Sequence, residues 1–77
     1  MTGWRLNMEN VKALAKFLGG ALVEATEILG DRDKARDWLL TENHALGGVR
    51  PIALLDTSIG FEDVMDVLHR IEFGVYS

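Results

Sequence analysis

With 77 residues, 48% of them hydrophobic, the chain has room for one domain and one core, and a chain this short buries only about 60% of the surface it exposes when unfolded. No cysteine is present, which excludes disulfide staples and cysteine metal sites and fits a reducing cytosol. Twelve acidic residues against eight basic ones give a net charge of -4, the wrong sign for a surface that neutralises nucleic-acid phosphates.

The N-terminal "MTGWRLNMENVK" has neither a basic end followed by an apolar run nor a small-residue cleavage site. No stretch approaches the roughly 18 apolar residues of a membrane span. The chain therefore reads as a soluble, cytoplasmic protein without a membrane partner. Trp4 falls outside the periodic pattern and is expected at the surface.

Over residues 9–29, Val11, Leu14, Leu18, Leu22, Ala25 and Ile28 recur at steps of three and four, with Ala15, Ala21 and Leu29 in the same stripe. This predicts an amphipathic helix with Lys12, Lys16, Glu24 and Glu27 on the wet side. Gly19 and Gly20 lie inside it, and together cost on the order of 2 kcal/mol relative to alanine. They predict either a break or the close approach of another backbone.

Gly30 supplies a helix stop and Asp31 a cap for a short second helix over 32–40, with Ala35, Trp38 and Leu39 inward. Its charges alternate: Arg32, Lys34 and Arg36 are interleaved with Asp31, Asp33 and Asp37, so their fields largely cancel. The polar stretch "TENHALGGVRP" follows, and its Gly47 and Gly48 offer positive φ for a chain reversal. Pro51 suits the first turn of a third helix over 51–56, with Ile52, Leu54 and Leu55 as its apolar side.

Thr57 or Ser58 can cap a last helix over 58–73, with Glu62 and Asp63 assigned to its first turn. Phe61, Val64, Met65, Leu68 and Ile71 form its stripe, and Gly74 stops it. No segment alternates like a strand. The expected fold is all-α, a compact bundle of about four helices in a single domain over residues 1–77.

Candidate sites are few. His44 has no second ligand at metal spacing and reads as a turn residue. Asp66, His69 and Glu72 stand three apart on the last helix, but a di-metal bundle needs such clusters on two helices and carboxylates on two more, so a solvated face with local ion pairs is expected. Gly47 and Gly48 lack the strand and longer glycine pattern of a phosphate cradle. No catalytic set, metal site or cofactor site is expected. In contrast, Phe73, Val75 and Tyr76 cluster around a helix stop with little core left to enter, as a partner surface would.

The pattern "A-x-x-W-L-x-T-x-N-x-A-L-G-G-x-x-P-x-x-L-L-D-T-x-x-G" from Ala35 to Gly60, followed by "V-x-x-x-L-x-R-I-E-x-G-V" from Val64 to Val75, resembles the Xre/MbcA/ParS toxin-binding domain, with Phe73 standing where many relatives have a histidine. That domain is the C-terminal module of bacterial antitoxins partnered with RES-domain toxins. The likeness runs from about residue 25 to the end. It implies an all-helical, non-enzymatic protein that binds its cognate toxin, an NAD-consuming enzyme, and covers the active-site entrance. Fuller members carry a helix-turn-helix that reads the operon's promoter; residues 1–30 offer one long helix in its place, so no nucleic-acid partner is expected.

On this resemblance the toxin-binding residues are expected to be Glu72, Phe73, Gly74, Val75, Tyr76 and Ser77, with Asn43, Leu46, Gly47, Gly48 and Arg50 as a second set. The Ser77 carboxylate could pair with a toxin arginine. A different class of function is a helical homo-oligomerisation module, with Gly19 and Gly20 permitting close contact between chains. A homodimer is compatible with both readings.

Overall fold

The computed structural model describes residues 8–74, with side chains from residue 11 onward. Its elements are α1 (Met8–Leu29), α2 (Arg32–Leu40), a 3-10 helix at His44–Leu46, a second at Pro51–Leu54, and α3 (Ser58–Glu72). The described residues contain no strand, only an isolated antiparallel bridge between Asn43 and Val49. Trp4, Val75, Tyr76 and Ser77 lie outside the described residues.

The described residues form three α-helices where about four helices were expected. The predicted third helix over 51–56 is a single 3-10 turn ending at Leu54. Pro51 does open it, but only three residues separate Leu54 from Ser58, and Thr57 must leave helical geometry to cap α3, at φ -133° and ψ 156°. The chain lacks the length for another full α-turn. Pro51 is itself buried, and Leu55 directly after the turn is a core residue.

The caps follow their side-chain chemistry. The Asp31 carboxylate accepts from the Asp33 amide at 3.4 Å, and the Thr57 hydroxyl oxygen accepts from the Gly60 amide at 3.0 Å. Glu62 and Asp63 are the fifth and sixth residues of α3, beyond the first turn to which the sequence assigned them. At the far end, the Gly74 amide donates to the Ile71 carbonyl at 3.2 Å, with Gly74 at φ 68°.

The core joins Ala21 and Ala25 of α1, Ala35 and Leu39 of α2, Leu55, and Val64 and Leu68 of α3, all buried. Alanines at the α1 contacts let helices approach closely, while Leu39, Leu55, Leu68 and Val64 supply the bulk. Each of these larger side chains contributes about 1.5–3 kcal/mol of burial. Leu14, Leu18, Leu22 and Ile28 pack against the cluster, as does Trp38. Val11 and Ala15, expected in the same stripe, are exposed. The buried arc of α1 is rotated toward Phe17, which the sequence pattern did not pick out.

The α1 helix runs unbroken through Gly19 and Gly20, and no backbone of the described residues packs against them. A Cβ on Gly20 would meet the ring of Phe61 at 3.4 Å, whereas one on Gly19 would meet nothing within 4 Å. The neighbour is an aromatic side chain: Phe61 stacks on Phe17 with centroids 4.9 Å apart and planes at 28°. The tightest approach is elsewhere, at Gly60, which is pressed against the backbone of Leu54. That contact seats the start of α3 on the second 3-10 helix.

Candidate functional site

Asn43 organises the loop between α2 and the second 3-10 helix. Its side-chain oxygen accepts from the Ala45 amide at 2.8 Å, capping the first 3-10 helix. Its carbonyl accepts from the Leu46 amide at 3.0 Å and the Gly48 amide at 2.9 Å, and its own amide donates to the Val49 carbonyl at 3.0 Å. Gly47 and Gly48 stand at φ 79° and 84°, where a Cβ would be strained, and so complete the reversal as the sequence predicts. His44 is exposed, and its carbonyl accepts from Gly47 at 3.1 Å.

This folded loop leans on α3. Ala45 and Leu46 from the loop, and Leu54 beyond it, face Asp63, Asp66, Val67 and Arg70 across a groove of about 350 Å³. The four α3 residues follow the i, i+3, i+4, i+7 spacing of one helix face. Val67 is buried and Leu46 and Leu54 are half-buried, giving the groove an apolar floor. Asp63, Asp66 and Arg70 are exposed. Among the described residues none of these three charges stands within ion-pair distance of another group, so the local pairs expected on this helix do not form.

Three residues beyond Arg70, Phe73 ends the helix with 73% of its surface exposed. Glu72 and Gly74 beside it are exposed too. Of the expected binding residues, then, the loop set and the described part of the C-terminal set share the α3 side of the molecule: Leu46 meets α3 directly, and Phe73 continues the Asp66–Arg70 face. Arg50 is exposed; its carbonyl accepts from the Ala53 amide at 2.9 Å, while its side chain makes no cap.

A second grouping joins α1 to α3. Nε2 of His69 lies 3.1 Å from a carboxylate oxygen of Glu24, with both side chains partly buried. Glu72 completes a trio whose ligand-capable atoms lie within 4.8 Å of one another, the spacing at which a divalent cation could be held. Glu24 was expected on the wet side of α1 and Asp66 beside His69. Instead Asp66 faces the groove and Glu24 takes its place, because the α1–α3 packing turns Glu24 toward the last helix.

The model of the antitoxin Xre/MbcA/ParS C-terminal toxin-binding domain matches residues 24–74. The chain belongs to this family. An antitoxin Xre from Photorhabdus laumondii subsp. laumondii is 46% identical over 48 residues, covering 62% of this chain and 32% of that protein. An antitoxin Xre from Yersinia enterocolitica is 33% identical over 73 residues, covering 95% of this chain and 49% of that protein. The chain thus spans about a third to a half of the curated relatives it matches.

As a toxin-binding domain of the antitoxin family, it is expected to present a partner surface, and the loop and the α3 face are where its exposed signature residues gather. Asn43, Gly47 and Gly48 prove to be builders of the loop. Ala45 and Arg70, which carry part of the likeness and are both exposed, line the groove. Of the residues that line the groove, Leu46 is among the expected binding residues, while Asp63, Asp66, Val67 and Arg70 share one helix face by their spacing and were not. No helix among the described residues is long and apolar enough to cross a membrane.

Proposed function

We propose that this toxin-binding domain neutralises a RES-domain, NAD-consuming toxin in the bacterial cytoplasm by covering the entrance to its active site. The covering surface is the C-terminal end of α3, with Glu72, Phe73 and Gly74 leading into Val75, Tyr76 and Ser77, flanked by Asn43, Leu46, Gly47, Gly48 and Arg50 of the loop. The observation that carries the reading is Phe73. A large aromatic side chain 73% exposed at the end of a helix stands outside the core formed by the described residues and suits an anchor desolvated in a partner's pocket. The domain acts by occlusion in this reading, and no cofactor is needed on its side.

Deleting residues 74–77 tests the reading through the toxin's NAD consumption. Loss of inhibition is the expected result; inhibition unchanged at equal concentration overturns occlusion by this end of the chain.

Self-association is the second reading, favoured by the outward ridge of α1. Val11 and Val23 are exposed there at four-residue steps through Ala15 and Gly19, the spacing at which helices interlock. Sedimentation of the isolated domain decides it, and a monomer across the micromolar range removes it.

A further inference from the structure

We propose that the groove between the 43–50 loop and α3 is the seat of one basic side chain, a lysine or arginine, supplied by the toxin. The inference rests on the toxin-binding reading and names the contact that the groove makes within it.

The groove has two parts of different chemistry. Its floor, from Leu46, Leu54 and Val67, is apolar and suits the methylene stem of a long cationic residue. Its rim carries Asp63 and Asp66, one helical turn apart on α3 and facing the same opening. Two carboxylates placed in this way repel each other and are stabilised by a cation between them; Arg70 lines the same groove but, among the described residues, stands outside ion-pair distance of either. Arg70 sits one turn further along the same helix face and disfavours a positive head at its own end, so the head is expected toward Asp63.

The volume, about 350 Å³, is at the small end of the roughly 300–1,000 Å³ range of ligand pockets, enough for one side chain and too little for a helix or strand. The occupant is therefore a protruding residue of a larger body. A second copy of this chain is disfavoured by charge, since two bodies of net charge -4 repel. A toxin with a basic patch is attracted both over a distance and at the groove.

A second line of support comes from the sequence. Ala45, Leu46, Leu54 and Arg70 all belong to the pattern by which the chain resembles its family, and all four line this groove. Ala45 and Arg70 are exposed, so core packing does not account for them.

The test measures binding of the full chain to a RES-domain, NAD-consuming toxin, by calorimetry at physiological salt. Asp63→Asn with Asp66→Asn is compared with Glu62→Gln with Asp37→Asn, two exposed carboxylates off the groove, so that the net charge changes equally. The groove pair is expected to weaken binding at least 30-fold, roughly the factor for stripping the partner from a desolvated charge. The control pair is expected to change it by less than about threefold. Asp66→Lys is a single-residue check and is expected to weaken binding further, with thermal unfolding of every variant near that of the parent.

Equal binding by the groove variant and the parent overturns the proposal, and so does equal weakening by both pairs, which would leave only long-range attraction. Self-association of the parent that the groove variant abolishes assigns the groove to a second copy and overturns it as well. No binding of the parent to the RES-domain toxin is a different failure: it removes the toxin reading itself, and the groove assignment with it.

Discussion

The backbone carbonyl of Leu54 occupies the space where residue 60 would carry a Cβ, so α3 begins in direct backbone contact with the turn that precedes it. The Leu54 Cβ would also stand 2.9 Å from such an atom. Only hydrogen fits. Within a helix, glycine to alanine would ordinarily gain up to about 1 kcal/mol. At position 60 the added methyl must push apart the second 3-10 helix and α3, and the obstacle is backbone that cannot rotate away. Gly60→Ala is expected to destabilise the domain by about 2 kcal/mol or more, read from chemical denaturation. An unchanged midpoint would mean that this contact is looser than described.

Gly19 presents the opposite case. It lies in the middle of α1, and a Cβ there meets nothing within 4 Å. Gly19→Ala is expected to stabilise by about 0.5–1 kcal/mol through helix propensity alone. In a domain of this size that raises the melting temperature by several degrees, and calorimetry can measure it. A loss of stability would mean that a neighbour crowds position 19 of α1.

The helix boundaries were legible in the sequence because they depend on local chemistry. Asp31 and Thr57 cap with their own side chains, and Gly30 and Gly74 stop helices at positive φ. The all-α class followed from the periodicity. What stayed hidden was set by tertiary rotation. A few tens of degrees about the α1 axis separate a stripe containing Val11 and Ala15 from one containing Phe17, and periodicity alone does not fix that angle when alanines and glycines are spread around the helix. The same rotation carried Glu24 from the expected wet face to His69. The expected helix over 51–56 shortens to a 3-10 turn because only three residues stand between Leu54 and Ser58, too few for a further α-turn before the Thr57 cap. Among the candidate residues, Phe73 was readable as surplus to the core, whereas the groove required two segments to be brought together before it could exist.

The Glu24–His69 contact is the one side-chain hydrogen bond described between distant parts of the chain, and it clips α1 to α3 at 3.1 Å. Both groups retain solvent contact, with side-chain exposures of 29% for Glu24 and 43% for His69, so its net worth is modest. A double-mutant cycle with Glu24→Ala and His69→Ala is expected to give a coupling energy of about 0.5 kcal/mol, the scale of partly exposed pairs. Coupling indistinguishable from zero would make the contact incidental to stability.

Phe73 separates folding from binding most sharply. Its side chain lies beyond the last core residue of α3, Leu68, and only the backbone at position 73 supports the helix end, through its amide to the His69 carbonyl at 3.0 Å. Phe73→Ala leaves that bond in place and removes surface already in water, so stability is expected to change by less than about 0.5 kcal/mol. Binding responds differently if the ring is an anchor. Truncating an aromatic hot spot costs about 2 kcal/mol or more, which lowers affinity for the toxin roughly 30-fold. Thermal unfolding and calorimetric binding of the same variant give both numbers. Affinity kept with stability kept would place the anchor elsewhere on the α3 face, while a large fall in stability would show that the ring packs within its own chain.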